Sequence, residues 1–407
     1  MRICNVDQMR IAVLNLIMRT MRSDLAFPQL DVNLERKGIR AEYPMAVLVA
    51  DELARMGNTV DVFGGSIYEV VRDPIENGDH ANVVSERLSF KTLFPPSYYP
   101  YAKGLPQRLR QGGYDAVLSS EFVQPATVQA MRHKQGGSRL FVWQEIASHP
   151  RFPAGIASRI LFHRMKANGF QRFDKAIPRS TTALEFLKSQ GFPDKMIAPI
   201  VPNAVDCRTF KPRGKPDFFE KRNIHDAPRP RIIMAARISR AKGVETFLEA
   251  TKIVLAEAKS VSFVLKGSGP DLPRVRFMAQ KMGLGKNLTV IEEFLPRKDL
   301  AELIASCDIC AAPSSSDLLF FVPLEAIASG VPVITSTASH HSATFADGKT
   351  GMVVPANDSK ALASAFLELI HDERRLTAMS KAARQLAVTK FSSEKVARDL
   401  LDIFSGN

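Results

Sequence analysis

Residues 313–336 read PSSSDLLFFVPLEAIASGVPVITS and carry more functional information than any other part of the chain. Two acids, Asp317 and Glu325, lie eight residues apart, and Pro323 stands two residues before the second acid. A run rich in small residues follows up to Gly330, and then come a proline and an apolar strand. A helix followed by a glycine and a strand is the repeating order of parallel α/β sheets, so this stretch predicts such a sheet.

The start of the helix in this stretch predicts an anion site. Proline suits the first helical position because its missing N–H would have had no partner there, so we expect the helix to begin at Pro323. Glu325 then falls in the first turn, where backbone N–H groups are free and the helix dipole is positive. Such a helix end attracts a phosphate, and the neighbouring carboxylate can accept hydrogen bonds from sugar or ribose hydroxyls.

The rest of the second half alternates strands and helices. We predict strands at 231–236, 261–266, 288–292, 309–312 and 332–335. We predict helices at 243–257, 271–283, 298–306, 323–329 and 359–371, and a last helix from Ser392 or Ser393 to about Phe404. The Pro-rich, charged segment 211–230 is interpreted as the interdomain linker together with the residues that lead up to it.

The first half shows the same pattern less regularly. A strand at about 10–16, a helix that ends at Gly57 and a strand at 59–63 form the unit of a parallel sheet. Further strands are predicted at 116–118, 140–143 and 175–177, whereas Pro, Gly and Tyr make 74–113 an irregular or surface segment. The apolar piece from Ile11 to Met18 is interpreted as this first strand and not as a signal peptide.

Length and composition favour a two-domain globular protein. The chain has 407 residues, 45% of them hydrophobic and 24% charged, which is too long for one ordinary core. No apolar run approaches the ~20 residues that span a bilayer, so we predict a cytoplasmic protein. Four cysteines give no disulfide framework. Cys307 and Cys310 have CxxC spacing without a second pair or a histidine cluster, so we expect buried thiols and no metal.

The positive charge is concentrated in residues 103–179. The net charge of the chain is +13, and this segment holds thirteen basic and four acidic residues. Near its end, basic residues alternate with apolar ones at helical spacing: Ile156, Arg159, Ile160, Leu161, Arg164, Met165 and Lys166. Such a helix can lie on anionic lipid at the inner face of the membrane, and a solvated basic face is the alternative. No nucleic-acid-binding motif is present, so we expect no nucleic-acid partner.

Two cations follow the first strand of the second half. Arg237 and Lys242 stand in ARISRAKGVE, between a predicted strand and a predicted helix. Cations are unfavourable at the start of a helix unless an anion offsets them. Two cations at this point therefore predict an anionic ligand. Arg240 is interpreted as a bystander.

These motifs resemble those of the retaining nucleotide-sugar glycosyltransferases of family 4, which have the GT-B fold. That family has two acids at the same separation, then a small-residue helix and Gly-x-Pro-Val. It also has Pro-Asn-Gly-Val-Asp at the domain boundary, where this chain has Pro202-Asn-Ala-Val-Asp206. The resemblance covers most of 200–404 by motif and 9–200 by architecture. It implies two Rossmann-like doubly wound α/β domains facing a central cleft: 1–205 on the acceptor side, 206–385 for the nucleotide sugar, and a helix at 386–407 that returns to the first domain.

The resemblance also assigns donor-side roles in the second domain. Arg237 and Lys242 would hold the donor diphosphate, Glu325 would bind the ribose, and Asp317 would contact the donor sugar. Further donor-binding residues would be Gly267, Gly269, Leu295, Phe320 and Val322. The family usually has Glu where this chain has Asp317, and Phe-Gly where it has Leu319-Phe320. A Phe at the place of a Gly predicts a reshaped donor-sugar pocket.

The acceptor side resembles the family less closely. Gly38-Ile-Arg-Ala-Glu42 stands where members often carry a Gly-rich loop and a Glu, but the paired glycines are missing. Gln144 and Glu145 follow a middle strand where many members have a His that reaches the donor sugar, and His149 comes shortly after. Glu42, Gln144, Glu145 and His149 are therefore the acceptor-side candidates.

The predicted activity is transfer of a sugar, with retained configuration, from a nucleotide-diphosphate sugar to a hydroxyl of a glycan, a lipid-linked glycan or a small molecule. Synthesis of cell-surface polysaccharide or glycoconjugate is the expected context, without a cofactor or metal. The alternatives are a non-catalytic partner subunit and an epimerase or phosphorylase on the same fold. A nicotinamide dehydrogenase would require a full GxGxxG after the first strand, and this chain has none.

Overall fold

The chain forms two compact units. One consists of Met1–Pro202 with Ser393–Asn407, and the other of Asn203–Ser392; we call them the N-terminal unit and the C-terminal unit. The predicted passages between the two domains lie at 205–206 and 385–386. The computed structural model describes residues 8–15, 45–66, 71–74, 83–92, 100–102, 104–122, 124–149, 154–167, 170, 172–212, 218–222, 224, 227–315, 321–339 and 342–406.

The N-terminal unit is built on one sheet with helices between its strands. Its strands are β1 (Arg10–Asn15), β2 (Thr59–Ser66), β3 (Val71–Pro74), β4 (Val83–Thr92), β5 (Pro100–Ala102), β6 (Ala116–Ser120), β7 (Arg139–Gln144) and β8 (Lys175–Pro178). Its helices before the first passage are α1 (Met45–Arg55), α2 (Leu105–Gln111), α3 (Pro125–His133), α4 (Ala154–Ala167) and α5 (Thr181–Ser189).

The strand order identifies the N-terminal sheet as doubly wound. The order is β3-β4-β2-β1-β6-β7-β8, with β5 paired to β4. Neighbouring strands are parallel throughout the run β4-β2-β1-β6-β7-β8. Strands β3 and β5 run antiparallel to β4. The chain order therefore reverses between β1 and β6, and such a switch point is where open α/β sheets bind ligands.

The prediction of an irregular segment at 74–113 was wrong. This segment contains β4, which has ten residues and pairs in register with β2, and also β5 and α2. The prolines, glycines and tyrosines that suggested loops lie mainly between these elements.

The C-terminal unit has a fully parallel sheet. Its strands are β9 (Arg231–Ala235), β10 (Ser262–Lys266), β11 (Leu288–Ile291), β12 (Ile309–Ala312), β13 (Val333–Ser336) and β14 (Gly351–Val354). Its helices are α6 (Phe218–Lys221), α7 (Val244–Glu257), α8 (Leu272–Lys281), α9 (Arg297–Ala305), α10 (Phe321–Ala328), α11 (Ser359–His371) and α12 (Glu373–Leu386).

The C-terminal sheet repeats the same topology. Its order is β11-β10-β9-β12-β13-β14, so the reversal lies between β9 and β12. Along β9 the buried side chains alternate between the two faces: Ile233 packs into one core and Ile232 and Met234 into the other. Burial on both faces explains why these strands read as short continuous apolar runs.

The segment 211–230 is part of the C-terminal unit and not a linker. Phe218 and Phe219, both in α6, are almost fully buried in the core of this unit. The guanidinium group of Arg231 lies 4.2 Å from the ring centre of Phe219. Burial of two phenylalanines therefore holds the Pro-rich segment to the domain that follows it.

After a π-helical turn at Ala387–Phe391, the chain returns to the N-terminal unit as α13 (Ser393–Ser405). The Ser393 hydroxyl donates a hydrogen bond of 2.9 Å to the buried carboxylate of Glu52 in α1. Near the other end of α13, the ring of Phe404 lies 4.7 Å from that of Phe141 in β7. A polar tie and an aromatic contact thus fix both ends of this helix to the N-terminal unit.

Candidate active site

Arg237 and Lys242 lie at the carboxyl edge of the C-terminal sheet, next to the switch point. Arg237 is the second residue after β9 and is exposed, and Lys242 is half-buried at the end of a 3-10 turn just before α7. The next loop supports this turn, because the Arg240 amide donates a hydrogen bond of 2.8 Å to the Asp271 carboxylate. Both predicted cations are therefore on one short, braced loop.

Gly267 and Gly269 bring the loop after β10 against the loop after β9. The Ile238 amide donates to the Ser268 carbonyl at 2.9 Å. A Cβ on Gly267 would lie 1.9 Å from the Ala236 carbonyl oxygen, and one on Gly269 would lie 2.3 Å from the Ile238 carbonyl oxygen. Gly267 also has a φ of +146°, which a side chain would strain. The two glycines therefore permit close contact between the two backbones, and this role does not depend on a ligand.

The loop after β12, where the 313–336 stretch begins, joins the same edge. The Ser315 amide donates a hydrogen bond of 2.9 Å to the Ala241 carbonyl. A Cβ on Gly243 would lie 2.0 Å from the Pro313 carbonyl oxygen, so only glycine allows this approach. The structure thus brings together the loops after β9, β10 and β12, which are neighbouring strands of the sheet.

Glu325 lies in the second turn of its helix and not in the first. Helix α10 begins at Phe321, which makes Pro323 the third helical residue and Glu325 the fifth. The expected first-turn position was wrong because the helix starts two residues earlier than the proline. A proline at the third position is tolerated, since N–H groups of the first turn have no partner in the helix.

A cation that the sequence analysis missed lies beside Glu325. Arg297, the first residue of α9, places its Nη1 3.9 Å from Glu325 Oε1. The guanidinium group also lies 5.1 Å from the ring centre of the buried Phe210. The Glu325 side chain is only 13% exposed, and the guanidinium group of Arg297 supplies a positive charge beside it. Burial, and to a lesser extent Glu325, raise the pKa of the Cys310 thiol to about 12.

Leu295 and Val322 pack into the C-terminal unit. Leu295 is buried in the core between β11 and α9, and Val322 packs against the same core. A contact of Leu295 with a donor would therefore have to use its backbone. Asp317, Phe320 and Glu42 lie outside the described residues.

The carboxyl edge of the N-terminal sheet holds three buried charges. Glu121, Glu145 and Arg179 are the residues directly after β6, β7 and β8, and each is at most 5% exposed. Only Glu145 was predicted. A sequence signal for the other two was present, because Glu121 comes three residues after the predicted strand 116–118 and Arg179 two residues after 175–177.

Glu121 connects the ends of β6 and β7. Its carboxylate accepts hydrogen bonds from the amides of Glu145 at 2.8 Å and Ile146 at 3.1 Å. Burial raises the pKa of Glu121 from 4.5 to about 7, and the charge of Arg179 and the two amide bonds oppose this rise. Its φ of +60° is unusual for a residue with a side chain and marks a strained backbone.

Arg179 provides the opposite charge. Its guanidinium group lies 4.1 Å from the ring centre of Trp143, the second-last residue of β7. Burial lowers the pKa of Arg179, whereas the charges of Glu145 and Glu121 act in the other direction. The three groups form a buried charged cluster, which we call the N-terminal charge cluster.

Gln144 and His149 have internal roles in the N-terminal unit. The Gln144 side chain accepts a hydrogen bond from the Phe122 amide at 3.1 Å and donates one to the Ile146 carbonyl at 2.8 Å. His149 Nδ1 lies 2.8 Å from Ser158 Oγ, and Nε2 lies 3.0 Å from Gln190 Oε1. Both polar ends of each side chain therefore face protein partners.

The two CxxC cysteines are buried free thiols, as predicted. Burial, the first cause, raises the pKa of Cys307 well above its ordinary value, so its metal-binding thiolate form is disfavoured. Within the described residues, no group of three or more His, Cys, Asp or Glu side chains is arranged to hold a metal ion.

Solved structures similar to this chain establish its fold. Sucrose-phosphate synthase from Thermosynechococcus elongatus has a TM-score of 0.70 at 18% identity, covering 98% of this chain and 99% of that one. Anabaena HepE in complex with UDP has a TM-score of 0.71 at 15% identity, covering 98% and 100%. The chain has the GT-B fold with two Rossmann-like units, as the resemblance implied. Residues 216–386, which make up most of the C-terminal unit, match the family model described as glycosyl transferases group 1.

Curated relatives match different shares of this chain. A GDP-mannose-dependent alpha-(1-6)-phosphatidylinositol monomannoside mannosyltransferase of Mycobacterium tuberculosis is 27% identical over 51% of this chain and 55% of its own length. The chain thus spans about half the length of that relative. D-inositol 3-phosphate glycosyltransferase of Corynebacterium urealyticum is 26% identical over 87% of this chain and 88% of its own length. The narrower assignment to family 4 stays a prediction.

Proposed function

We propose that the chain is a glycosyltransferase that moves a sugar from a nucleoside-diphosphate sugar to an acceptor hydroxyl. One observation carries the proposal: the loops after β9, β10 and β12 converge at the switch point of the C-terminal sheet and carry Arg237 and Lys242 there. This arrangement lies within the segment that matches the glycosyl transferases group 1 model. A doubly wound sheet binds its ligand at this position, and two cations suit a diphosphate.

The proposed reaction breaks the bond between the anomeric carbon and an oxygen of the donor β-phosphate. Negative charge then grows on the leaving diphosphate. Arg237 can bind two of its oxygens, and Lys242 adds a point charge, which lowers the barrier without a metal. The acceptor oxygen forms the new bond on the same face of the sugar, and its proton passes to the departing phosphate. This front-face route retains configuration and needs no covalent nucleophile from the protein.

Glu325 is proposed to accept hydrogen bonds from the donor ribose hydroxyls. An ionised carboxylate accepts hydrogen bonds at both oxygens and donates none, and the guanidinium of Arg297 lies 3.9 Å from this one. Asp317 is proposed to contact the donor sugar. The roles of Gly267, Gly269, Leu295, Phe320 and Val322 toward the donor remain part of the same proposal.

The partners are proposed by class. HepE was solved with UDP, and the mycobacterial relative is named for GDP-mannose, so the donor is a sugar linked to a nucleoside diphosphate. The acceptor is a hydroxyl of a glycan, a lipid-linked glycan or a small molecule in cell-envelope synthesis, the context that a relative named for colanic acid biosynthesis also suggests. Glu145, at the carboxyl edge of the N-terminal sheet, stays the acceptor-side candidate of this proposal. We further propose that the protein works in the cytoplasm, in peripheral contact with the inner face of the membrane.

The test is a thermal-shift screen of UDP, GDP and ADP and of their common sugars, followed by an assay for release of the preferred nucleoside diphosphate. One base should raise the melting temperature with a concentration dependence that follows ligand linkage. Donor-dependent release of the diphosphate in the presence of an acceptor should follow. The proposal would be wrong if UDP, GDP and ADP changed the melting temperature equally and no nucleotide sugar changed it. Binding without turnover would favour a non-catalytic subunit.

A further inference from the structure

Helix α4 has an outward face with an apolar centre. Ile156 and Ile160 are 51% and 50% exposed, and they stand one turn apart, so they share one face. The opposite face is anchored in the N-terminal unit. Phe162 and Met165 are buried there, and the Phe162 ring lies 5.8 Å from that of Phe122. The apolar face is therefore presented to the outside by a fixed helix.

Cations flank this apolar face on both sides. Arg159, Arg164 and Lys166 are exposed, and α4 contains no Asp or Glu. At 100° per residue, Arg164 lies about 60° to one side of the isoleucine pair, and Arg159 and Lys166 lie about 80–100° to the other. The helix has only fourteen residues, and no helix in the described part of the chain is long and apolar enough to cross a membrane. Helix α4 can lie on a bilayer but cannot span it.

From this arrangement we propose that the exposed face of α4 docks on an anionic lipid surface, with Ile156 and Ile160 in the acyl boundary and the flanking cations at the lipid phosphates. This deepens the membrane contact named in the proposed function, but it does not depend on sugar transfer. Amphipathic helices bind membranes through this combination of apolar area and positive charge.

The charges favour lipid over a second copy of the chain. Two α4 faces in contact would bring six cations together without an acid on either helix, in a chain whose net charge is +13. An anionic bilayer offers negative charge on both sides of the helix together with an apolar layer between. Charge complementarity thus selects the membrane as the occupant.

The comparison with α8 provides a matched control. Phe277 on α8 is 65% exposed and also has arginines beside it, but Arg274 is paired with Glu245 and Arg276 with Glu292. The acidic side chains of Glu245 and Glu292 beside this exposed apolar residue should repel anionic lipid, and α4 contains no acid. Phe277→Ser therefore removes exposed apolar area without touching the proposed surface.

The experiment is cosedimentation of the full chain with phosphatidylcholine vesicles that contain or lack phosphatidylglycerol. The wild type should bind only the anionic vesicles. Ile156→Ser with Ile160→Ser should abolish most binding. Arg159→Gln with Arg164→Gln should weaken partitioning by about 25-fold, since each cation near an anionic surface is worth about fivefold. Phe277→Ser should bind like the wild type. The double variant Arg132→Gln with Arg172→Gln, which removes two exposed charges elsewhere in the same unit, should lose clearly less.

Nucleotide binding without vesicles should be unchanged in every variant, which separates this inference from the proposed function and checks folding. Equal binding to neutral and anionic vesicles, no binding of the wild type, or equal losses in the α4 and control variants would overturn the proposal. A wild-type dimer that Ile156→Ser with Ile160→Ser converts to a monomer would also overturn it, because the face would then belong to a second copy.

Discussion

The carboxylate of Glu121 accepts a hydrogen bond of 2.8 Å from the amide of Glu145, which ties the end of β6 to the end of β7. Glu121 is fully buried, and Arg179 supplies the neighbouring positive charge. A buried carboxylate held in this way makes the stability of the N-terminal unit depend on pH.

Stability should fall as pH rises through the range in which Glu121 titrates. The pKa of Glu121 is about 7 in the folded chain and 4.5 ordinarily. Because the folded pKa is the higher one, the stabilisation is fully present below pH 4.5 and is lost as pH rises through 7. Between pH 5 and 8 this group should lower the free energy of unfolding by about 2 kcal/mol.

Urea unfolding of the wild type and Glu121→Gln at both pH values measures this effect. The chain has one tryptophan, Trp143 in β7, so its fluorescence reports on the N-terminal unit. All other titrating groups are common to the two proteins, and the difference between their pH dependences isolates Glu121. Parallel pH profiles would show that Glu121 is ionised in the folded state at pH 5.

Gly269→Ala tests the contact between the loops after β9 and β10. The added Cβ would lie 2.3 Å from the Ile238 carbonyl oxygen, so one backbone must move. We expect a loss of roughly 1–3 kcal/mol in stability, typical of overpacking, and weaker nucleotide binding because the loop with Arg237 is displaced.

Gly285→Ala is the control for this substitution, since its Cβ would meet nothing within 4 Å. It should leave stability unchanged or raise it slightly by restricting the unfolded chain. Calorimetric melting of both variants makes the comparison. If the two variants have the same melting temperature, the close contact between these loops does not stabilise the site.

The pattern of the sequence predicted most of the C-terminal unit, because its strands are buried on both faces and read as apolar runs. Strand β12 was predicted at its observed bounds, and β9 to within one residue. Strand β4 was missed because VVSERLSFKT mixes polar and apolar residues without a clear alternation. Strand β14, GMVV, was too short to stand out.

The site was predicted less completely, because spacing along the chain does not show which loops touch. The hydrogen bond from Ser315 to Ala241 joins residues 74 positions apart. Arg297 was missed for the same reason, since its partner Glu325 lies in another helix. The positive φ of Glu121 has no signature in the sequence either, because glycine or asparagine is the usual marker of that conformation.

Arg237→Ala and Arg240→Ala form a matched pair on one loop. The proposed role of Arg237 at the diphosphate predicts a loss of about 100-fold to 1,000-fold in turnover, the size seen when one transition-state donor is removed. The Arg240 side chain is 75% exposed and lies 3.8 Å from Glu245, so its removal should change turnover by less than about threefold. Release of nucleoside diphosphate under saturating donor measures both. Equal losses in the two variants would indicate a general charge effect and not a specific contact.

The last prediction concerns the pair of Arg297 and Glu325. If Glu325 binds the ribose, Glu325→Gln should weaken nucleoside-diphosphate binding by about tenfold, because an amide is a poorer acceptor than a carboxylate. Arg297→Gln should weaken it less, by roughly threefold, since the two groups are 3.9 Å apart and Arg297 is 29% exposed. The double variant should lose less affinity than the product of the two single losses, because Arg297 acts through Glu325.

Titration calorimetry measures these affinities. The control is Arg222→Gln, which removes an exposed partner of Glu293 in the same unit. Strictly multiplicative losses would mean that the two residues contribute to nucleotide binding independently, and Arg297 would then have to contact the ligand itself.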